Sequence, residues 1–195
     1  MPETRALTPR PEVVDFLLTR RSRSARTLGT EPPDRASIET ILAAAARVPD
    51  HGKLAPWRFV VIPRPAMARL VEAARRHGPT AGLDETATEK AAAAFSHGGT
   101  ILAVVSAPRP SQKIPRWEQE LSAGAACLAA LNAALALGWG ANWLSGPFAR
   151  HEGFLTDALG CAAGETVAGF IHVGAEQVVP AERDRPDPAA VTTWL

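Results

Sequence analysis

The 195-residue chain has no tyrosine, only two cysteines and only two methionines. Without a phenol, any reductase mechanism that depends on a tyrosine general acid is excluded. Cys127 and Cys161 lie in apolar segments with no CxxC spacing. That excludes a thioredoxin-like pair and predicts two buried thiols in a reducing compartment. The amino-terminal "MPETRALTPRPE" lacks the apolar core of a signal peptide. The longest apolar run, 123–137, is broken by Gly124 and Asn132 and is too short and alanine-rich to span a membrane. The formal charge is +1, so no overall field recruits nucleic acid or an anionic membrane. A cytoplasmic protein acting on neither is expected.

Catalytic motifs are equally scarce. "GWGA" at 138–141 gives only GxG and follows a helical stretch, so a dinucleotide-binding Rossmann loop is missing. There is no Walker A and no GxSxG. The five histidines, His51, His77, His97, His151 and His172, stand in separate segments without metal-ligand spacing. No metal site and no catalytic nucleophile are expected. An enzyme of this composition imports its chemistry in an organic cofactor.

What is present is ordinary for a globular protein: 46% apolar and 21% charged residues. The length predicts one domain over 1–195, with 1–10 a flexible polar tail. Periodicity predicts helices over 11–20, from the Asp34 cap to Pro49, over 65–77, 84–95 and 116–137, and a short one in "HEGFLTDALG". Strands are expected at 57–62, 100–107 and 166–175, with a short one at "ANWL" and an edge strand in the closing "AVTTWL". The loops lack the Gly-rich signature of a doubly wound sheet, so the fold class is α+β, one modest sheet wrapped by helices. On the long helix, Leu121, Gly124, Leu128, Leu131 and Leu135 form a narrow stripe suited to another chain or a cofactor.

Three stretches carry chemistry. In "RRSRSAR", Arg20, Arg21, Arg23 and Arg26 with two serines either hold a phosphate or form a solvated helix end. In "RVPDHGKLAPWRFVVI", Arg47, Asp50, His51 and Lys53 sit between a helix and a strand, as a polar turn or as a ligand wall. In "GWGANWLSGPF", Trp139 and Trp143 either stack on a flat ring or fill the core beside a turn. A fourth segment, "KIPRWEQELSAG", reads simply as a helix start with Glu118 and Glu120 favoured by the dipole.

Taken in order, "RRS", "PDHG", "PWRFVVI", "KIPRWEQELSAG", "GWGANWLSG" and "TVAGFIHVGA" resemble the FMN-dependent nitroreductase family, in particular its small single-domain members. The likeness runs from about Val13 to Thr193. It implies a nitroreductase-like α+β sandwich with a mostly antiparallel sheet, built as an intertwined homodimer whose two FMN sites draw on both chains. By the resemblance, Arg20, Arg21 and Ser22 hold the ribityl–phosphate and pyrimidine end of the flavin. Arg47 and His51 contact the flavin from the helix-to-strand loop. Trp143, Leu144 and Ser145 lie beside the isoalloxazine, and 133–138 aligns with a nicotinamide-nucleotide segment. The sequence departs from the family where Lys53 and Ala55 replace the usual Asn and Gln, and where Leu144 stands in place of an arginine. Lys53 is either a charge partner of the cofactor or a plain surface lysine. The implied activity is ping-pong hydride transfer from NAD(P)H through FMN to an electron-poor acceptor such as a nitroaromatic or a quinone. The alternatives are a flavin-binding sensor or carrier without turnover, and a flavin reductase or flavin-processing enzyme on the same fold.

Overall fold

The computed structural model describes residues 6–195. Half of the expected tail, residues 1–5, lies outside the described residues; residues 6–10 are exposed and carry no regular structure. The elements follow the order α1 (Pro11–Thr19), α2 (Arg35–Ala45), β1 (Trp57–Pro63), α3 (Arg64–His77), α4 (Glu85–Ala94), β2 (Thr100–Ser106), α5 (Arg116–Ala136), β3 (Gly140–Leu144), α6 (Glu152–Leu159) and β4 (Thr166–Gly174).

The four strands form one sheet in the order β1-β2-β4-β3, and every neighbouring pair is antiparallel. The continuous apolar run of β2, "TILAVVS", is buried along its whole length, which places it in the middle. Its side chains divide between two layers. Ile101, Ala103 and Val105 join Phe170 of β4 under α3, α4 and α6, with Phe95, Phe148 and Phe154 filling that side. Leu102 and Val104 join Ile171 and Val173 under α2 and α5. Asp34 caps α2 as the sequence predicts, its Oδ1 accepting from Ser37 N at 2.8 Å.

Three expectations are corrected. Helix α2 ends at Ala45, before Pro49, because Ala46 N and Arg47 N turn back to Leu42 O and Ala44 O in a closing turn. The closing "AVTTWL" is no edge strand. Pro188–Val191 form a 3₁₀ turn, capped by Asp187 accepting from Ala189 N and followed by Thr192 donating to Pro188 O. Among the described residues no strand pairs with it, and β-propensity alone does not make a strand. The stripe on α5 also splits: Leu131 is buried and Leu135 half-buried, whereas Leu121 and Leu128 are 65% and 45% exposed.

Candidate functional site

The expected site residues fall at two diagonally opposite corners of the sheet. The first corner is built on β3. Arg23 N donates to Ala141 O at 2.8 Å, and Asn142 Nδ2 donates to Arg23 O at 2.7 Å. These bonds lay the segment Arg20–Arg26 along the sheet edge. Arg20, Arg21, Ser22, Trp143, Leu144 and Ser145 are therefore brought to one edge of the sheet.

The arginines there are crowded. Arg20 Nη2 donates to Ser22 Oγ at 2.9 Å, while its Nε is buried without a hydrogen-bond partner. Burial, and then the positive charges of Arg185, Arg21 and Arg23, lower the Arg20 pKa from its ordinary value. Arg21 donates through Nε and Nη2 to Ala181 O and lies 3.5 Å from a Glu182 oxygen. Glu182 also accepts from Arg185 Nη2 at 3.1 Å, and Arg23 pairs with Glu176. The tail beyond β4 thus supplies both a cation and two carboxylates to the patch. Arg185 and Glu182 were missed in the sequence because they lie some 160 residues from "RRS".

Arg20, Arg21 and Arg23 line a pocket of about 280 Å³ with Phe16, Leu135, Trp139 and Glu176; on the other face of β3 opens a separate cavity of about 650 Å³. Ser24 and Arg26 line one side, Lys90 and His97 come from α4 and the loop after it, and Asn142, Leu144 and Pro147 close the rest. No acidic side chain lines it. Trp143 points away, onto the opposite face. Its Nε1 donates to Ala168 O, and its indole lies so close to Gly169 that a Cβ there would sit 2.2 Å from it. Trp143 is 38% exposed, so it partly serves the core reading and leaves one edge at the surface.

The second corner precedes β1. Asp50 is a clamp: its Oδ1 accepts from Leu54 N at 3.0 Å and its Oδ2 from Ala55 N at 2.8 Å. Within this clamp Gly52, Lys53 and Ala55 all have positive φ, 72°, 56° and 46°. Two of these are side-chain-bearing residues in a conformation that costs about 1 kcal/mol or more each. Helix α5 sews the loop down with groups one turn apart. Glu118 Oε1 lies 2.6 Å from His51 Nδ1, and Ser122 Oγ donates to Pro49 O at 2.6 Å while accepting from Trp57 Nε1. Pro49, His51, Pro56, Ile114, Glu118 and Leu121 line a shallow, mostly apolar cavity of about 300 Å³. Arg47 is exposed nearby in the chain, and Lys53 is exposed with no side-chain hydrogen bond among the described residues. The roles of Glu118 and Ser122 were missed in sequence; their i, i+4 spacing on one helix face was the available signal.

Within one chain, then, the two corners are not brought together. A flavin mononucleotide requires cations for a phosphate, a slot for a flat tricycle and polar groups at its edge. The first corner supplies the cations at one pocket and room with polar groups at a neighbouring one. The unpartnered Arg20 Nε among like charges needs an acceptor, the cavity has a cofactor's dimensions, and Ser24, Asn142 and His97 face it. Candidate metal clusters are not found among the described residues.

Comparison with known proteins agrees. The Nitroreductase family model matches residues 18–175. The Escherichia coli (strain K12) protein named "Putative NAD(P)H nitroreductase YdjA" is 33% identical over 185 residues, covering 94% of this chain and 100% of its own. A Haemophilus influenzae protein named "Putative NAD(P)H nitroreductase" is 33% identical over 164 residues, covering 84% of this chain and 88% of its own. Among solved structures, a nitroreductase-like family protein from Bacillus cereus superposes with a TM-score of 0.80 at 20% identity, over 97% of this chain and 99% of that one. A nitroreductase with bound FMN from Bacteroides fragilis superposes with a TM-score of 0.71 at 19% identity, over 94% and 98%. An antiparallel sheet wrapped by helices, an arginine-rich strand edge and these matches lead to one conclusion: the chain belongs to the nitroreductase family.

Proposed function

We propose that this chain is an FMN-dependent NAD(P)H oxidoreductase of the nitroreductase type, acting as one domain on small electron-poor acceptors such as nitroaromatics or quinones. The observation that carries the reading is the buried, unpartnered Arg20 Nε within the group Arg20, Arg21, Arg23 and Arg185. Arg23 is paired with Glu176, and Arg21 and Arg185 with Glu182, which leaves Arg20 as the cation that a bound anion would complete. The relatives' names support NAD(P)H as the co-substrate, and the FMN in the Bacteroides fragilis structure supports the cofactor. The chemistry FMN supplies when bound is hydride transfer, taken from NAD(P)H and passed on to the acceptor.

The chain's own part is binding and electrostatics. Arg20, Arg21 and Ser22 hold the phosphate end. Leu144 and Ser145 bring backbone to the ring, and Arg26 and Lys90 favour negative charge in the neighbouring cavity. No side chain need act as nucleophile. Arg47, His51 and Lys53 belong to the second corner, so they serve a flavin held by another copy.

That copy has a surface to occupy. Helix α1 buries none of its residues although Val13, Val14, Leu17 and Leu18 are apolar, and Leu121 and Leu128 are exposed on α5. Unpartnered apolar helix faces of this extent support an intertwined homodimer. The two free, buried cysteines support a cytoplasmic setting, and no helix among the described residues is long and apolar enough to cross a membrane.

The test is optical. The purified protein takes up FMN, and NADH or NADPH bleaches it. Arg21→Ala stays folded and weakens FMN binding by about tenfold or more, in line with loss of a charged hydrogen bond. A protein that gains no flavin absorbance with FMN refutes the reading, and a flavin that neither nucleotide bleaches identifies a carrier.

A further inference from the structure

The large cavity beside β3, on the side of the sheet filled by phenylalanine, has no occupant among the roles above. Arg20, Arg21 and Arg23 do not line it. It has two parts. The outer part, about 650 Å³, carries Arg26, Lys90 and His97 among the apolar groups of Leu83, Ala87 and Pro147. The inner part, about 310 Å³, is walled by Phe95, Phe148 and Phe170, with the buried His172 in its lining. Ala91, Ala94, Leu144 and Pro147 line both parts, so the two are continuous. Ala91 and Ala94 share one face of α4, and their small side chains keep the neck between the parts open.

The mouth has an excess of positive charge. Arg26 and Lys90 are exposed there, and neither meets a carboxylate among the described residues. Glu89, next to Lys90 in the chain, is taken by Arg75 at 2.8 and 3.0 Å. Arg64 donates to two carbonyls, Ser96 O and Gly98 O, which leave its charge standing. Burial, and then the charges of Arg26 and Arg64, hold the His97 pKa below its ordinary value. The same field that disfavours a proton on His97 favours an anion beside it. Inward of the mouth the walls are alanine and phenylalanine, which favour an apolar body over a second charge.

We infer that this cavity binds a small arene carboxylate, with its anionic group at Arg26 and Lys90 and its flat apolar body in the neck at Ala91 and Ala94, facing the phenylalanines. The dimensions suit a ligand of one or two rings. The inference stands on the cavity's own lining and does not depend on where the flavin lies. Two sources share this chemistry: an electron acceptor that carries a carboxylate, or an acid that takes no electrons.

The experiment titrates the full chain, with and without saturating FMN, with 2-naphthoate and with neutral 2-naphthylmethanol, followed by calorimetry. Native protein is expected to prefer the naphthoate by about tenfold, as one charge-assisted hydrogen bond provides, and to lose that preference as salt rises. Arg26→Gln combined with Lys90→Gln, two exposed changes, binds both compounds equally. Ala94→Leu, checked for native circular dichroism, narrows the neck and weakens both. Turnover of a nitrobenzoate separates the two sources. Competition by naphthoate identifies the acceptor as the occupant, and turnover unchanged at saturating naphthoate identifies a non-reacting acid; either upholds the site. The proposal is overturned if native protein shows no preference for the naphthoate, if the double variant keeps the preference, if Ala94→Leu leaves binding unchanged, or if FMN displaces the naphthoate. Native protein that binds naphthoate but no FMN upholds the proposal and overturns the functional reading alone.

Discussion

One face of the sheet is packed around phenylalanine rings and the other with alanine and aliphatic side chains. On the first, Phe154 stacks on Phe148 and Phe95 with ring centroids 4.7 and 5.3 Å apart, and Phe170 meets Phe95 edge-on at 5.1 Å. Helices α3, α4 and α6 cover these rings. On the second, Ala45, Ala126, Ala130, Ala134 and Ala141 let α2 and α5 lie close to the strands, with aliphatic side chains such as Ile41, Leu102, Leu131 and Ile171 but no phenylalanine fully buried between them. The outer side of α5 keeps Leu121 and Leu128 in solvent. The phenylalanine face is completed by its own helices and holds the cavity with His172. The alanine face presents more apolar surface than one chain covers.

That contrast can be broken from either side. The largest effect is expected on the first face: Phe154→Ala removes a fully buried ring from a stacked cluster and lowers the unfolding free energy by about 3–5 kcal/mol in urea denaturation. Next comes acid. The folded pKa of His172, about 4, lies below its ordinary 6.5, so the unfolded chain takes up the proton first as pH falls. The stability from keeping the ring neutral is complete above pH 6.5 and is lost progressively down to about 4, a decline of about 3 kcal/mol. Denaturation midpoints measured through this window should fall more steeply for the native chain than for His172→Phe. Smallest in stability, though not in consequence, is a change on the second face. Leu128→Arg should alter the unfolding free energy of a monomer by no more than about 0.5 kcal/mol. Sedimentation should nevertheless show it shifted towards monomer; an unchanged mass would remove α5 from the dimer surface.

Much of this was legible locally. The unbroken apolar run of β2 marked a central strand, Asp34 marked the start of a helix, and Asp50 was legible as an orienting acceptor because its targets, Leu54 N and Ala55 N, lie within five residues. "RRS" and "NWLSG", singled out in the sequence, meet at one edge of the sheet. Partnerships across the chain were not legible: His51 with Glu118 is 67 residues apart, and Arg21 with Ala181 is 160. Nor was the split of the α5 stripe. Leu131 lies about 80° round the helix from Leu121, enough to turn one to the core and leave the other outside, yet both satisfy the same periodicity. "AVTTWL" misled for a related reason: Val, Thr and Trp favour a strand, but a strand exists only beside another.

The Asp50 clamp has a consequence for binding entropy. Glycine would enter the left-handed conformations of residues 53 and 55 freely, and the loop would then visit many shapes. With lysine and alanine there, only a narrow set remains once both Asp50 oxygens are engaged. The disorder is given up when the chain folds, not when a ligand arrives. A molecule settling against His51 therefore meets a wall that is already ordered, and its association loses less entropy to the loop than it would with glycine at either position.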